Sequence, residues 1–132
     1  MRYMLDTNIC IYVIKNKPSW VKEKFSSLSP IDLCISSITT SELLYGAEKS
    51  KYPAKNKEAL ERFLSPLNIV DYGYKASLAY GKIRTFLEKT GNIIGSMDLL
   101  IAAHALSLNV TIITNNEKEF KKVKDLKVEN WY

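Results

Sequence analysis

Segments of helical spacing alternate with short apolar runs along this chain of 132 residues, which predicts an α/β domain: a mainly parallel sheet covered by helices on both faces. Two further observations support that class. Met97 to Leu108 is apolar nearly all round, the pattern of a helix sandwiched between layers rather than lying on a surface. Tyr3-Met4-Leu5 runs straight into Asp6, Thr7 and Asn8 and then into the apolar run Ile9 to Ile14, the layout of a strand passing directly into a helix.

Taken in order, Thr7 to Lys15 reads as a short helix after the first strand. Pro18 sits where a first helical turn tolerates proline, so Ser19 to Ser27 reads as a second helix, broken by Ser29-Pro30. Asp32 to Ser36 is a short buried strand. Ile38 to Ser50 is a helix with Leu43, Leu44 and Ala47 on one face, ended by Tyr52-Pro53. Lys55 to Leu64 is the next helix, with Leu60, Phe63 and Leu64 inside and charges outside. Leu67 to Tyr72 is a third strand. Tyr74 to Lys89 is the longest helix, apolar or aromatic at 76, 79, 80, 83, 86 and 87 and closed by Gly91. Val110 to Thr114 is a fourth strand, Asn115 to Phe120 a turn or helical turn, and Lys127 to Trp131 an edge strand. No repeat, linker or low-complexity tract interrupts this order, so residues 1–132 read as a single domain.

Composition narrows the function. Apolar residues make up 46% and charged residues 25%, as in ordinary globular domains. No apolar run approaches the ~18–20 residues a membrane span needs, and Asp6 interrupts the start of the chain where a signal peptide would be apolar. Cys10 and Cys34, both with apolar neighbours, read as buried reduced thiols of a cytoplasmic protein. Two isolated Cys and one His make a poor zinc set. The net charge of +5 is compatible with a nucleic-acid partner. The lysines fall in three groups: Lys15, Lys17, Lys22 and Lys24; Lys49 to Lys57; and Lys118 to Lys127, the last diluted by Glu117, Glu119 and Asp125.

The acids carry the chemistry. Asp is depleted in strands and costly to bury, so Asp6 at a strand's carboxyl end either caps the following helix or faces the crevice where open α/β sheets bind ligands. Glu42 lies about one turn into the helix after the second strand, and Asp98 opens the helix that feeds the fourth. A crossover helix runs antiparallel to its strands, so its amino end lies at their carboxyl edge. Asn116 and Glu119 follow the fourth strand, so all these positions fall on one edge of the sheet. Each has an ordinary reading. Thr39-x-x-Glu42 fits a capping box, Asp98 suits a helix dipole with Ser96 as cap, Asn116 is a turn residue and Glu119 a solvated acid. Together they gather several carboxylates, which at ~4 Å repel by about 1 kcal/mol even at water's dielectric. An oxygen-only set of this kind calls for a divalent cation, Mg²⁺ or Mn²⁺. His104, two turns into the buried helix, reads as structural.

At these residues the sequence resembles the PIN-domain ribonucleases, and within them the VapC-type toxins of bacterial toxin–antitoxin pairs. The matching stretches are Met4-Leu5-Asp6-Thr7-Asn8, Ser36 to Gly46, Ile94 to Ala105 and Thr114 to Phe120, in the family's order and spacing over nearly the whole chain. The resemblance implies a PIN fold, with a parallel sheet of about five strands in the order 3-2-1-4-5. It also implies Mg²⁺- or Mn²⁺-dependent endonucleolytic cleavage of RNA. Asp6, Glu42 and Asp98 match the family's metal-binding acidic triad; Asn116 stands where the family usually has a fourth acid, with Glu119 close by to supply charge. Thr114 matches a polar residue beside the site, and Thr7 is expected to orient Asp6. The implied substrate is a structured RNA, a tRNA anticodon loop with initiator tRNA foremost, and exposed Tyr and Trp side chains are available to stack unpaired bases. The implied partners are a second copy of the chain and a VapB-type antitoxin, through which alone operator DNA is contacted. No membrane partner is expected.

A rival reading is a PIN fold that has lost activity and serves as an RNA- or antitoxin-binding module, to which Asn116 lends support. A haloacid-dehalogenase-like phosphatase with Asp6 as nucleophile is disfavoured, because its second Asp, two residues on, is here Asn8.

Overall fold

Both edges of β1 (Tyr3–Leu5) are occupied, which makes the first strand of the chain the centre of the sheet. The structure is a computed structural model describing residues 1–132. β1 is flanked by β2 (Leu33–Ser36) and β4 (Thr111–Ile113), with β3 (Asn68–Val70) and β5 (Val128–Glu129) at the edges. All neighbours are parallel, and the order is β3-β2-β1-β4-β5, as expected.

Register explains the core. Met4 lies opposite Cys34 and Ile112, and these three point to one face of the sheet, where they join Ile83, Leu87, Ile101 and Phe120. Their chain neighbours Leu5, Leu33, Ile35 and Ile113 point to the other face and join Ile9, Val13, Leu43 and Leu60. The helices α1 (Thr7–Lys15) and α4 (Pro53–Leu64) cover the second face, with Leu43 of α3 (Ser37–Glu48). The long α5 (Tyr74–Thr90) and α6 (Ser96–Leu108) cover the first. The chain also forms α2 (Ser19–Ser26), a 3-10 turn at Pro30–Asp32 and a single-turn α7 (Glu117–Phe120).

Every residue from Ile101 to Ala105 is buried, because α6 lies between the sheet and α5. Its small residues Ala102, Ala103 and Ala105 allow that close approach. Gly91 closes α5 at φ +70°, a conformation glycine adopts at no steric cost, and the N–H of Asn92 returns to the Leu87 carbonyl at 2.9 Å. No helix is long and apolar enough to cross a membrane. Cys10 and Cys34 are both buried and unbridged.

Four local expectations are corrected. Pro53 opens α4 rather than ending α3, since its fixed φ and missing N–H suit a first helical turn. Leu44, placed on one face with Leu43 and Ala47, and Phe86, among the apolar positions of its helix, are 41% and 46% exposed, because no neighbouring layer covers that side of α3 or α5. Only Val128–Glu129 of the last apolar run pairs as strand; Trp131 instead buries its ring edge-on to Tyr3. Pro18, expected in the first turn of the helix from Ser19, stands just outside it as the N-cap residue of Ser19–Ser26.

Candidate active site

β1 ends by delivering Asp6 into a crevice at the carboxyl edge of the sheet, and three other elements reach the same place. A cleft of about 190 Å³ is lined by Asp6, Thr7, Asn8, Ile11, Glu42, Asp98 and Asn116. Asp6, Glu42, Asp98 and Asn116 thus share one concave surface, while Glu119 stands outside the lining.

Asp6 does both things a strand-ending Asp can do. Its Oδ1 accepts the Thr7 N–H at 2.8 Å, capping α1, and its Oδ2 accepts the Thr114 hydroxyl at 2.7 Å. Thr114 in turn accepts the Asn116 N–H at 2.9 Å, and Asn116 Nδ2 donates to Asp98 Oδ2 at 2.9 Å. A continuous chain of hydrogen bonds therefore joins the acid of β1 to the acid of α6 through the loop after β4.

Glu42 is held from the other side. Its Oε1 accepts the Thr7 hydroxyl at 2.7 Å, so Thr7 uses its backbone on Asp6 and its side chain on Glu42. The capping-box reading of Thr39 and Glu42 is overturned. Ser36 is the N-cap of α3, accepting the Ile38 N–H at 3.1 Å, because the strand pairing of Ser36 with Val70 ends there and fixes the helix start. Ser96 does not cap α6 either; the N-cap position is Gly95, without a side-chain bond. That leaves Asp98 free to face the cleft.

The electrostatics follow from burial. Asp6 is 4% exposed, and desolvation pushes its pKa from 3.8 up to about 6; the bonds from Thr114 and Thr7 oppose the rise, and the charges of Asp98 and Glu42 add to it. Asp98 is also raised, chiefly by burial, with the Asn116 bond pulling it down and Glu42 and Glu119 pushing it up. No lysine or arginine lines the cleft to neutralise these charges. Glu119 bonds both its oxygens to Lys122 Nζ at 3.3 Å and acts on Asp98 through space.

An uncompensated set of hard oxygen donors fits a divalent Mg²⁺ or Mn²⁺. The acids do not converge into a closed three-ligand cage. They line an open cleft instead, which suits an ion held by one or two carboxylates that keeps several waters. Asn8 was not foreseen as part of the site. Its Oδ1 is buried without a hydrogen-bond partner while the residue lines the cleft, and only its place two residues after Asp6 hinted at this.

His104 is structural, as expected. Burial holds its pKa below the ordinary value, with an Asp71 backbone hydrogen bond opposing. Nδ1 lies 2.7 Å from Ser36 Oγ, and the ring meets Tyr72 edge-on at 5.4 Å between centroids.

Known proteins share this arrangement's fold and sequence. A family profile described as "PIN domain" matches residues 3–126. A relative from Shigella flexneri named "tRNA(fMet)-specific endonuclease VapC" is 46% identical over 131 residues, covering 99% of this chain and 98% of the relative. The solved structure of VapBC2 from Rickettsia felis, bound to a DNA fragment from their promoter, superposes with a TM-score of 0.93 at 46% identity over 100% of both chains. That of DNA-bound VapBC from Salmonella typhimurium gives 0.94 at 42% identity, covering 100% of this chain and 99% of the other.

Proposed function

The chain belongs to the PIN-domain family, within its VapC branch, and on that premise we propose that it is the toxin of a toxin–antitoxin pair, a Mg²⁺- or Mn²⁺-dependent endoribonuclease of the cytoplasm. The observation that carries this reading is the meeting of Asp6, Glu42 and Asp98, from three separate elements, in one cleft with no cation of the protein's own.

Asp6 and Asp98 would hold the ion, with Glu42 as the third acid. When bound, the ion supplies Lewis-acid activation of a phosphate oxygen and of the attacking water. The protein's own groups do the rest. The Thr114 hydroxyl keeps Asp6 Oδ2 aimed into the cleft, and the Thr7 hydroxyl does the same for Glu42. Glu42 orients the water for in-line attack. Asn116 offers a carbonyl oxygen without adding charge, and Glu119 contributes its charge from outside the cleft.

The substrate is a tRNA, with initiator tRNA foremost; the name of the Shigella flexneri relative supports that choice. The inhibitor is a VapB-type antitoxin, as the VapBC complexes among its structural neighbours support. The working toxin is a homodimer that meets operator DNA only through the antitoxin. Purified protein incubated with bacterial tRNA is expected to release a discrete fragment with Mg²⁺ or Mn²⁺. Neither EDTA nor Asp6→Ala protein should give it.

One observation favours a second reading, a binding module without activity: the Asn116 amide donates to Asp98 Oδ2, engaging an oxygen that a metal would use. Protein that retains RNA in EDTA and never cuts it with either metal would support the module.

A further inference from the structure

An exposed aromatic cluster that the core does not require stands where α1, α2 and the chain after β5 meet. Trp20, in the first turn of α2, is 53% exposed and Tyr132 is 55% exposed. Their rings meet edge to face at 6.2 Å between centroids, and Tyr132 also tilts onto Tyr12 of α1 at 5.0 Å. Hydrogen bonds fix each partner. The Trp20 indole N–H donates to the Tyr132 carbonyl at 2.8 Å, the Tyr132 N–H donates to Asn130 Oδ1 at 2.8 Å, and Asn115 Nδ2 donates to the Tyr12 hydroxyl at 3.0 Å. Large apolar rings immobilised in contact with water are ready to bind something flat.

The cluster adjoins the cleft through the chain itself. Asn115, which holds Tyr12, lies between Thr114 and Asn116, the two residues that bond Asp6 and Asp98. Tyr12 follows Asp6 by six residues of α1, about 9 Å of helix rise.

Cations flank the same rings. Lys15 lies one turn beyond Tyr12 on α1, Lys24 lies one turn beyond Trp20 on α2, and Lys17 lies in the turn that joins the two helices; all are exposed. None of these lysines belongs to an ion pair, since the protein's five pairs use Lys57, Arg62, Arg84, Lys121 and Lys122. Free cations beside exposed aromatic faces are the chemistry that binds an unpaired nucleic-acid strand: the phosphates take the charge and the bases take the rings.

We infer that Trp20, Tyr132 and Tyr12 form a stacking platform for an unpaired base of the RNA strand held in the acidic cleft, with Lys15, Lys17 and Lys24 on its phosphates. The inference rests on the ribonuclease reading above and adds where the strand runs. A duplex hides its base faces, so the platform selects single-stranded loops over helices. Every base offers a π-face, so it selects them without regard to sequence.

Binding is measured in the Asp98→Asn background, which suppresses cleavage, with a fluorescein-labelled oligoadenylate decamer and a short RNA duplex hairpin as probes. Trp20→Ala is expected to weaken the decamer about tenfold, within the roughly five- to hundred-fold range for losing one base–aromatic stack. Trp20→Phe should retain most of the affinity, and hairpin binding should not change. Lys24→Ala should flatten the salt dependence for both probes, whereas Trp20→Ala should leave it unaltered. Tyr132→Ala provides an independent disruption of the same platform, and circular dichroism checks that each variant is folded. With Asp98 restored, Trp20→Ala should raise KM for tRNA and leave kcat unchanged. Equal decamer affinity for the parent and both aromatic variants would overturn the platform. So would unchanged RNA affinity together with lost binding of the VapB-type protein, which would give the patch to the antitoxin. Failure of the ribonuclease reading is seen separately, as no metal-dependent cleavage by the wild-type chain.

Discussion

Replacing Asp6 with Asn removes the one acid that the fold buries, and the metal-free protein should gain stability with a defined dependence on pH. Burial lifts the Asp6 pKa from 3.8 to about 6, so the folded chain binds this proton more tightly than the unfolded chain does. The stability contributed by the group is present below pH 3.8 and is lost as pH rises through about 6. Each pH unit between the two values is worth about 1.4 kcal/mol, so folding with Asp6 ionised costs about 3 kcal/mol at neutral pH. Roughly a third of that cost is already present at about pH 4.5. Asn carries no charge and escapes the cost. It keeps one acceptor but turns an N–H toward Thr114 or Thr7, a loss of about 1 kcal/mol at every pH. The variant should therefore lie close to the parent at about pH 4.5 and about 2 kcal/mol above it at about pH 7.5. Urea unfolding in EDTA at both pH values measures the gap. Mn²⁺ should then stabilise the parent, by binding its native state, and leave the variant nearly unmoved. A gap that stays constant or narrows as pH rises would refute the account of a buried, uncompensated carboxylate.

Asn116→Asp adds a fourth carboxylate to the cleft and deletes the amide donor to Asp98. Mn²⁺ affinity, measured by isothermal titration calorimetry, should rise, while the metal-free melting temperature falls by an amount that salt reduces. Glu119→Gln should change Mn²⁺ affinity less than threefold, a roughly 0.6 kcal/mol effect, because Lys122 already holds this acid outside the cleft. His104→Leu leaves the buried Ser36 hydroxyl with the Ile38 N–H as its one remaining partner and should cost about 1–3 kcal/mol in urea unfolding, with His104→Gln costing less.

The architecture was legible because periodicity and punctuation agreed. Asp6 announced the end of β1, Gly91 the end of α5, and the all-round apolar face of Met97 to Leu108 its position between two layers. The same logic located Asp6, Glu42, Asp98 and Asn116 at one edge, since helix starts follow from strand ends. What the chain did not disclose was the wiring between them. Ser36, Ser37, Thr39 and Thr40 all resemble helix caps, and only the pairing of β2 with β3 selects Ser36. Thr7 was expected to orient Asp6 alone, yet its hydroxyl reaches Glu42, 35 residues away. Leu44 and Phe86 lie at positions that helical spacing assigns to the inside, but the width of a buried stripe is set by the neighbours that cover it. The Trp20–Tyr132 contact joins residues 112 apart, beyond the reach of any local pattern.

The two hydrogen bonds on Asp6 differ greatly in when they become available. The Thr7 N–H is its chain neighbour, whereas Thr114 arrives 108 residues later on β4. β1 is made first and stands at the centre, so one of its edges stays vacant until the fourth strand has been synthesised. A nascent chain that has already produced Asp6 and Glu42 still lacks Asp98 until α6 emerges, and the bond that aims Asp6 until β4 follows it. Translation therefore passes through no product ending before Asn116 in which the cleft is complete. Parallel pairing between such distant segments also closes slowly. Assembly of the cleft thus waits on β4, and any partner that captures the chain before that strand is made meets it with the cleft incomplete.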